Sequence, residues 1–260
     1  VFYLVLIAAL ILIVRLLIVW QKRRASEESI ESRQKREEEK QILWSRRASL
    51  SRQWKLMISQ LQKSKFNAKG NAVYALPWYL MLGPSRSGKT TAIKNSKLSV
   101  PFTGQTGAGG AEQGFVGESR WWFLEETMVL DVPGHYIEHR NSADRVEWRQ
   151  FLNLMLRYRK QQPINGVVLT LSAESLLQQS EDESRTQAAH LRERMDDLVQ
   201  RLGVNYPVYV MITKCDQIQG LVKFFELFPS DVLSQAMGVM NTRYAEQGVP
   251  EKFLQRAFSR

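Results

Sequence analysis

The chain has 260 residues, enough for one or two domains, and a hydrophobic share of 44 % that supplies an ordinary core. Its net charge of +10 invites a nucleic-acid reading, yet most of the excess sits in residues 21–72, directly after an apolar run where Lys and Arg are expected, and no basic-aromatic module accompanies it. Nucleic acid is therefore set aside as a partner, and the single cysteine, Cys215, excludes an internal disulfide and fits a reducing compartment.

Residues 1–20 are apolar except for Arg15. Twenty helical residues rise about 30 Å, the thickness of a bilayer core, so the run predicts a transmembrane helix with Arg15 reaching toward the headgroups beside Trp20. A signal peptide fits less well, since the run has no basic leader and no small-residue cleavage site. Lys22, Arg23 and Arg24 follow at once. Positive flanks stay inside, which places the rest of the chain in the cytoplasm and Val1 outside, and implies a longer protein with an earlier span.

Residues 21–72 read as a charged, then amphipathic, helical linker. They lack Pro, and Ile42, Leu43, Leu50, Trp54, Met57, Ile58 and Leu61 fall mostly at helical spacing before a turn at Lys69-Gly70-Asn71. From residue 73 to about 221 the pattern becomes alternating α and β. Trp78–Leu82, Gly166–Leu171 and Val208–Ile212 read as buried strands. Arg120–Glu125 and Met128–Asp131 read as two tightly joined ones, and helices are expected from Thr91 to Asn95, from Val146 to Tyr158 and along Ala188 to Leu202. Such alternation predicts an α/β fold with a mostly parallel sheet flanked by helices. Residues 222–260 read as an incomplete helical extension.

Three motifs carry chemistry. Gly83-Pro84-Ser85-Arg86-Ser87-Gly88-Lys89-Thr90 fits the G-x-x-x-x-G-K-[ST] pattern between a strand and a helix. Its converging backbone N–H groups would cradle a polyphosphate, Lys89 would reach the β- and γ-phosphates, and Thr90 would ligate Mg²⁺. Ser85, Arg86, Ser87 and Thr91 complete the nucleotide-binding set. This makes the fold a P-loop NTPase. Second, Asp131 ends an apolar strand in Leu130-Asp131-Val132-Pro133-Gly134. A carboxylate there needs a cation or donors, so Asp131 is expected beside Mg²⁺, with the Gly134 N–H serving the γ-phosphate. Third, Thr213-Lys214-Cys215-Asp216 follows the last strand and resembles the [NT]-K-x-D element of GTPases. Asp216 would accept from guanine, Lys214 would lie along the base and Thr213 would brace the loop. Thr in place of the commoner Asn leaves GTP and ATP both open.

For turnover, His135 stands where several GTPases carry a water-orienting residue, and equally suits a surface turn; it is the candidate catalytic residue. Arg86 could act as a finger in cis or remain solvated. The segment Thr103-Gly104-Gln105-Thr106-Gly107-Ala108-Gly109-Gly110 lies where a first switch belongs, and either Thr103 or Thr106 could complete the Mg²⁺ shell.

Taken together, Trp78 through Thr91, Gly117-Glu118-Ser119-Arg120-Trp121-Trp122-Phe123, Leu130 through Ile137 and Thr213-Lys214-Cys215-Asp216 resemble the IcmF/TssM family of secretion-system inner-membrane proteins. The Glu-Ser-Arg-Trp-Trp stretch is the most distinctive part. The resemblance implies a subunit of the membrane complex of a type VI, or related type IVB, secretion system. Its expected partners are a TssL/DotU-like inner-membrane protein, an outer-membrane lipoprotein met through a periplasmic region, and baseplate components. Three roles compete: a scaffold that binds and hydrolyses GTP or ATP as an assembly switch, a membrane-anchored GTPase proper, and an interaction module with a vestigial site.

Overall fold

The computed structural model describes residues 2–64, 66–67, 70–96, 119–124, 126–138 and 141–229, with positions 232, 238 and 240 besides; before residue 36 the side chains described are those at 15, 20 and 34. The glycine-rich segment 103–110, with Thr103 and Thr106, lies outside these residues, as do Gly117, Glu118 and positions 241–260. Contacts divide the chain into two units, Val1–Lys214 and Cys215–Arg260.

In the first unit one helix, α1, runs from Phe2 to Lys63. Among the described residues no helix is long and apolar enough to cross a membrane; the apolar run expected to do so lies, apart from Arg15 and Trp20, outside the residues whose side chains are described. The linker expected as two successive helices is one uninterrupted helix. With no Pro or Gly before Lys63, nothing in its backbone breaks the hydrogen-bond ladder.

Five strands form one sheet: β1 (Trp78–Leu82), β2 (Arg120–Phe123), β3 (Met128–Asp131), β4 (Gly166–Ser172) and β5 (Val208–Thr213). Their order is β2-β3-β1-β4-β5, and only β2 runs antiparallel. The expected mixed α/β architecture with a mostly parallel sheet is the one observed. The hairpin β2–β3 needs only a short turn, whereas the parallel neighbours require crossovers, and these carry the helices. They are α2 (Lys89–Asn95), α3 (His135–Glu138), α4 (Ser142–Tyr158), α5 (Ala173–Gln178) and α6 (Glu181–Leu202).

Two helices begin earlier than their apolar spacing suggests, because caps rather than apolar residues set their starts. The Asn141 side chain accepts from the Asp144 N–H at the head of α4. Ser180 and Glu183 form a reciprocal capping box at the head of α6. The short helices α3 and α5 had no apolar period to announce them.

Strand alternation separates the core into two unequal faces. Trp78, Leu80, Leu82, Trp121, Phe123, Met128 and Leu130 point to the larger one, while Met81, Trp122 and Val129 point to the smaller one with Ile93 of α2. Leu50, Trp54, Met57, Ile58 and Leu61 of α1 join the larger face. Trp54 is fully buried there, edge-on to Trp121 at 4.7 Å and Phe151 at 5.5 Å and stacked on Tyr158. Below it lies Arg159, buried over the rings of Tyr74 and Trp78 and donating to Asn165 Oδ1 at 3.1 Å. Burial pushes its guanidinium down to about 10, so it stays charged at neutral pH. At the sheet edge β5 leaves Val208, Tyr209, Val210 and Ile212 exposed.

The second unit opens with a 3-10 turn at Cys215–Gln217 and continues into α7 (Leu221–Phe225), where Phe224, Phe225 and Phe228 pack ring to ring.

Candidate functional site

The strand register brings the carboxyl ends of β1, β3, β4 and β5 to one edge of the sheet. Met81 pairs with Asp131, Leu82 with Leu169, and Ser172 with Thr213. The chain leaves central β1 between neighbours reached by opposite routes, the switch point at which open α/β sheets bind ligands. The loop Gly83–Gly88 fills that position.

Two glycines are demanded by close approach. A Cβ on Gly83 would collide with the Thr170 carbonyl oxygen beneath it. Gly88, at φ 81°, adopts the left-handed conformation that caps α2, and a Cβ there would press on Thr213 Oγ1 at 3.0 Å. Arg86 also takes a left-handed φ, of 62°, with an exposed side chain. Ser87 is buried and its N–H donates to the Pro84 carbonyl at 3.3 Å.

Lys89 is buried, and its ammonium folds back onto its own loop, donating to the carbonyls of Gly83 at 2.8 Å and Pro84 at 2.9 Å. Burial pulls its pKa below the usual lysine value, against the opposing charges of Asp131 and Glu138. The neighbouring Thr90 hydroxyl donates to Asp131 Oδ2 at 2.6 Å. Burial pushes the Asp131 carboxyl above its usual value, opposed by the Thr90 hydrogen bond and by the charges of Lys89 and Arg120. Thr91, the next residue of α2, is exposed.

Gly134 lies directly against Ser85; a Cβ on it would overlap the Ser85 backbone nitrogen. Four residues further on, the Glu138 carboxylate accepts the Ser85 N–H at 3.1 Å. Beside it His135 engages another partner: its Nε2 stands 3.8 Å from Glu147 Oε2, and its ring is edge-on to Tyr136. The Tyr136 hydroxyl donates to Glu147 Oε1 at 3.1 Å, and Arg46 of α1 stands 3.6 Å from Glu147 and 3.5 Å from Asp144. Burial pushes the Glu147 carboxyl up, but the close approach of His135, the Tyr136 hydrogen bond and the charges of His135 and Arg46 outweigh it and leave the group below its ordinary value.

At the end of β5 the Thr213 hydroxyl lies 2.5 Å from the Ser87 carbonyl and 3.2 Å from that of Leu171, bracing the phosphate-type loop to β4 and β5. Lys214 has φ 53° and pairs with Glu174 of α5 at 2.7 Å. Asp216 belongs to the second unit, exposed and accepting from the Gln217 side chain at 2.6 Å.

The structure thus gathers Gly83, Ser85, Ser87, Gly88, Lys89, Thr90, Asp131, Gly134 and Thr213 at one sheet edge. It gives His135 to Glu147 and Lys214 to Glu174. Sequence reasoning did not single out Glu138, Glu147 or Glu174. Each is defined by a tertiary partner, and among the three Glu138 alone carried a local signal, as a carboxylate one turn after Gly134.

The residues fit a nucleotide with its metal. A loop with no room for a Cβ at Gly83, a lysine at its end and a hydroxyl–carboxylate pair of hard oxygens are the groups a phosphate chain and Mg²⁺ require.

The family described as the IcmF-related N-terminal domain matches residues 141–260. The type VI secretion system component TssM1 of Pseudomonas aeruginosa is 37 % identical over 198 residues, which cover 74 % of this chain and 18 % of that protein. The chain therefore spans less than a fifth of the length of the curated relative it matches. Among solved structures, an ADP-ribosylation-factor-like GTP-binding protein (small COPII coat GTPase SAR1) from Encephalitozoon cuniculi, in complex with GDP, is 10 % identical at a TM-score of 0.24, covering 66 % of this chain and 83 % of that one. The G domain of the T. maritima FeoB iron transporter is 15 % identical at a TM-score of 0.22, covering 58 % and 95 %. Superpositions this loose add nothing to the strand order.

Proposed function

Because the chain belongs to the IcmF/TssM family, we propose that it is the cytoplasmic nucleotide-binding portion of an inner-membrane scaffold subunit in a type VI, or related type IVB, secretion system. The fold is a GTPase-like P-loop NTPase, and nucleotide occupancy acts as an assembly switch. A TssL/DotU-like membrane protein, an outer-membrane lipoprotein and baseplate components are the partners that the reading expects.

One observation carries the nucleotide reading: the Thr90 hydroxyl and the Asp131 carboxylate meet at 2.6 Å beside a glycine loop that ends in a buried lysine. Backbone N–H groups of the loop and Lys89 would hold the phosphates of GTP or ATP. Thr90, with Asp131 behind it, would hold Mg²⁺, which neutralises charge on the terminal phosphates when bound. Thr213 keeps the loop against β5, and Lys214 would lie along the base. Binding requires Lys89 to exchange the Gly83 and Pro84 carbonyls for phosphate oxygens. That exchange favours the anion, since an ammonium is drawn more strongly to a charged phosphate oxygen than to a neutral carbonyl.

The test is titration of the detergent-solubilised chain with GTP and ATP, with and without Mg²⁺. Lys89→Ala should weaken binding by about tenfold or more, the worth of one hydrogen bond to a charged group. Equal affinity in Lys89→Ala and the parent chain would remove the phosphate-cradle reading.

A further inference from the structure

The Glu138 side chain is the feature of this site that a binding loop alone does not call for. A loop that presents N–H groups to an anion holds, at Ser85, an anion from the protein itself, with Glu138 Oε1 3.1 Å from the Ser85 nitrogen. The contact is built rather than incidental. Gly134 is packed so tightly on Ser85 that no side chain fits between them. The next turn then folds back, with the N–H groups of Ile137 and Glu138 both donating to the Gly134 carbonyl, at 2.9 and 3.3 Å. Tyr136 and Ile137 are buried in the large core, so the turn that carries Glu138 is pinned. The carboxylate is thus delivered to one end of the loop by anchored neighbours.

We propose that Glu138 gates the site against the terminal phosphate, so that the resting protein accepts a nucleoside diphosphate and takes a triphosphate only when Glu138 withdraws. The proposal rests on the nucleotide reading above. Ser85 is the loop residue in contact with Gly134, the glycine expected to serve the γ-phosphate, so the donor that Glu138 occupies lies at the terminal-phosphate end. A carboxylate and a γ-phosphate compete there for one N–H and repel each other. A diphosphate stops short of that donor and keeps the inner part of the loop. Space for withdrawal exists. Glu138 lines a cleft of about 400 Å³ between Pro84, Ile137 and the first turns of α6, where Asp182, Glu183 and Thr186 face it. Entering it brings Glu138 beside Asp182 and Glu183, which oppose the move, while Gln187 and His190 of the same lining offer it donors. Triphosphate binding would therefore move a side chain into the α3–α6 cleft, coupling nucleotide state to that surface.

Two measurements on the full chain in detergent test this. The first needs no nucleotide: hydrogen exchange at the Ser85 amide should be about tenfold or more faster in Glu138→Ala than in the parent, since the amide loses the Glu138 acceptor. Unchanged exchange would overturn the proposal. The second compares affinities for GTP and GDP, and for ATP and ADP, in the parent, Glu138→Gln, Glu138→Ala and Lys89→Ala. Glu138→Ala should gain about tenfold for the triphosphate and change little for the diphosphate, as expected for loss of one competing charged hydrogen bond, and Glu138→Gln, whose amide oxygen still accepts, should gain less. If Lys89→Ala loses binding while the triphosphate-to-diphosphate ratio is the same in all Glu138 forms, the gate is wrong and the nucleotide site stands. If neither the parent nor Glu138→Ala binds any of the four nucleotides, the nucleotide site is wrong and the gate falls with it.

Discussion

The Thr213 hydroxyl sits 2.5 Å from the main-chain oxygen of Ser87, joining the end of the last strand to the middle of the first loop across 126 residues of chain. The contact gives the threonine at the end of β5 a structural duty. One short hydroxyl beside a left-handed Gly88 reaches the carbonyl without a longer side chain. Thr213→Val keeps the shape and removes the donor. It should cost about 1 kcal/mol of stability, a typical net hydrogen bond, and weaken nucleotide binding severalfold by loosening the loop. Urea midpoints and a nucleotide titration on the same preparation check both.

Asp131 is held at the expense of the fold. Burial raises its pKa above 3.8. Between that value and the folded one, the native state binds more protons than the unfolded chain, so stability falls as pH rises through the window and stays lower above it. Asp131→Asn should therefore stabilise the nucleotide-free protein at neutral pH, on the order of 0.5–2 kcal/mol, while abolishing the Mg²⁺ dependence of binding. Thermal unfolding alongside a Mg²⁺ titration reads the two effects, and a destabilised Asn variant would contradict the account.

Glu147 behaves in the opposite sense. Its folded pKa lies below 4.5 despite burial, because His135, Tyr136 and Arg46 favour the charged form. Its stabilisation is complete above the unfolded value and is lost as pH falls through the folded one. Glu147→Gln should be about 1 kcal/mol less stable at pH 7, with a shallower loss of stability in acid. The check is a series of urea midpoints from pH 7 down to 3.

His135→Ala probes the same cluster from the other side. If its role is the contact with Glu147, the substitution lowers stability and leaves any nucleotide hydrolysis unchanged. A slowed turnover at equal affinity would instead return it to the water-orienting role expected from the motif.

Trp54→Ala empties a fully buried position of α1. Large aromatic-to-alanine changes in cores cost about 3–5 kcal/mol, a large share of the roughly 5–15 kcal/mol that holds a typical domain folded. Denaturant unfolding measures it; a loss below about 1 kcal/mol would mean that α1 is not part of the cooperative core.

Much of this architecture was legible because its signals are local. Trp78–Leu82 and Gly166–Leu171 are apolar runs bounded by glycine or proline turns, and the phosphate-type loop is a spacing rule. The parts that stayed hidden depend on partners distant in sequence. Nothing around His135 points to Glu147, and nothing around Lys214 points to Glu174, because each pairing joins segments at least 12 residues apart that only the tertiary fold brings together. The four-residue helix carrying Glu138 is too short to show a period. Residues Ser180 and Glu183 did spell a capping box, but the apolar face of α6 starts later and drew the boundary with it.

The indoles of Trp54, Trp78 and Trp121 stand 4.7 to 6.1 Å apart, ring centre to ring centre. Chromophores that close, fixed at steep mutual angles, exchange excitation energy and give intense circular dichroism in the near ultraviolet. The place where the long N-terminal helix enters the sheet thus carries its own spectroscopic reporter, and its seating can be followed in detergent or in vesicles with no label attached.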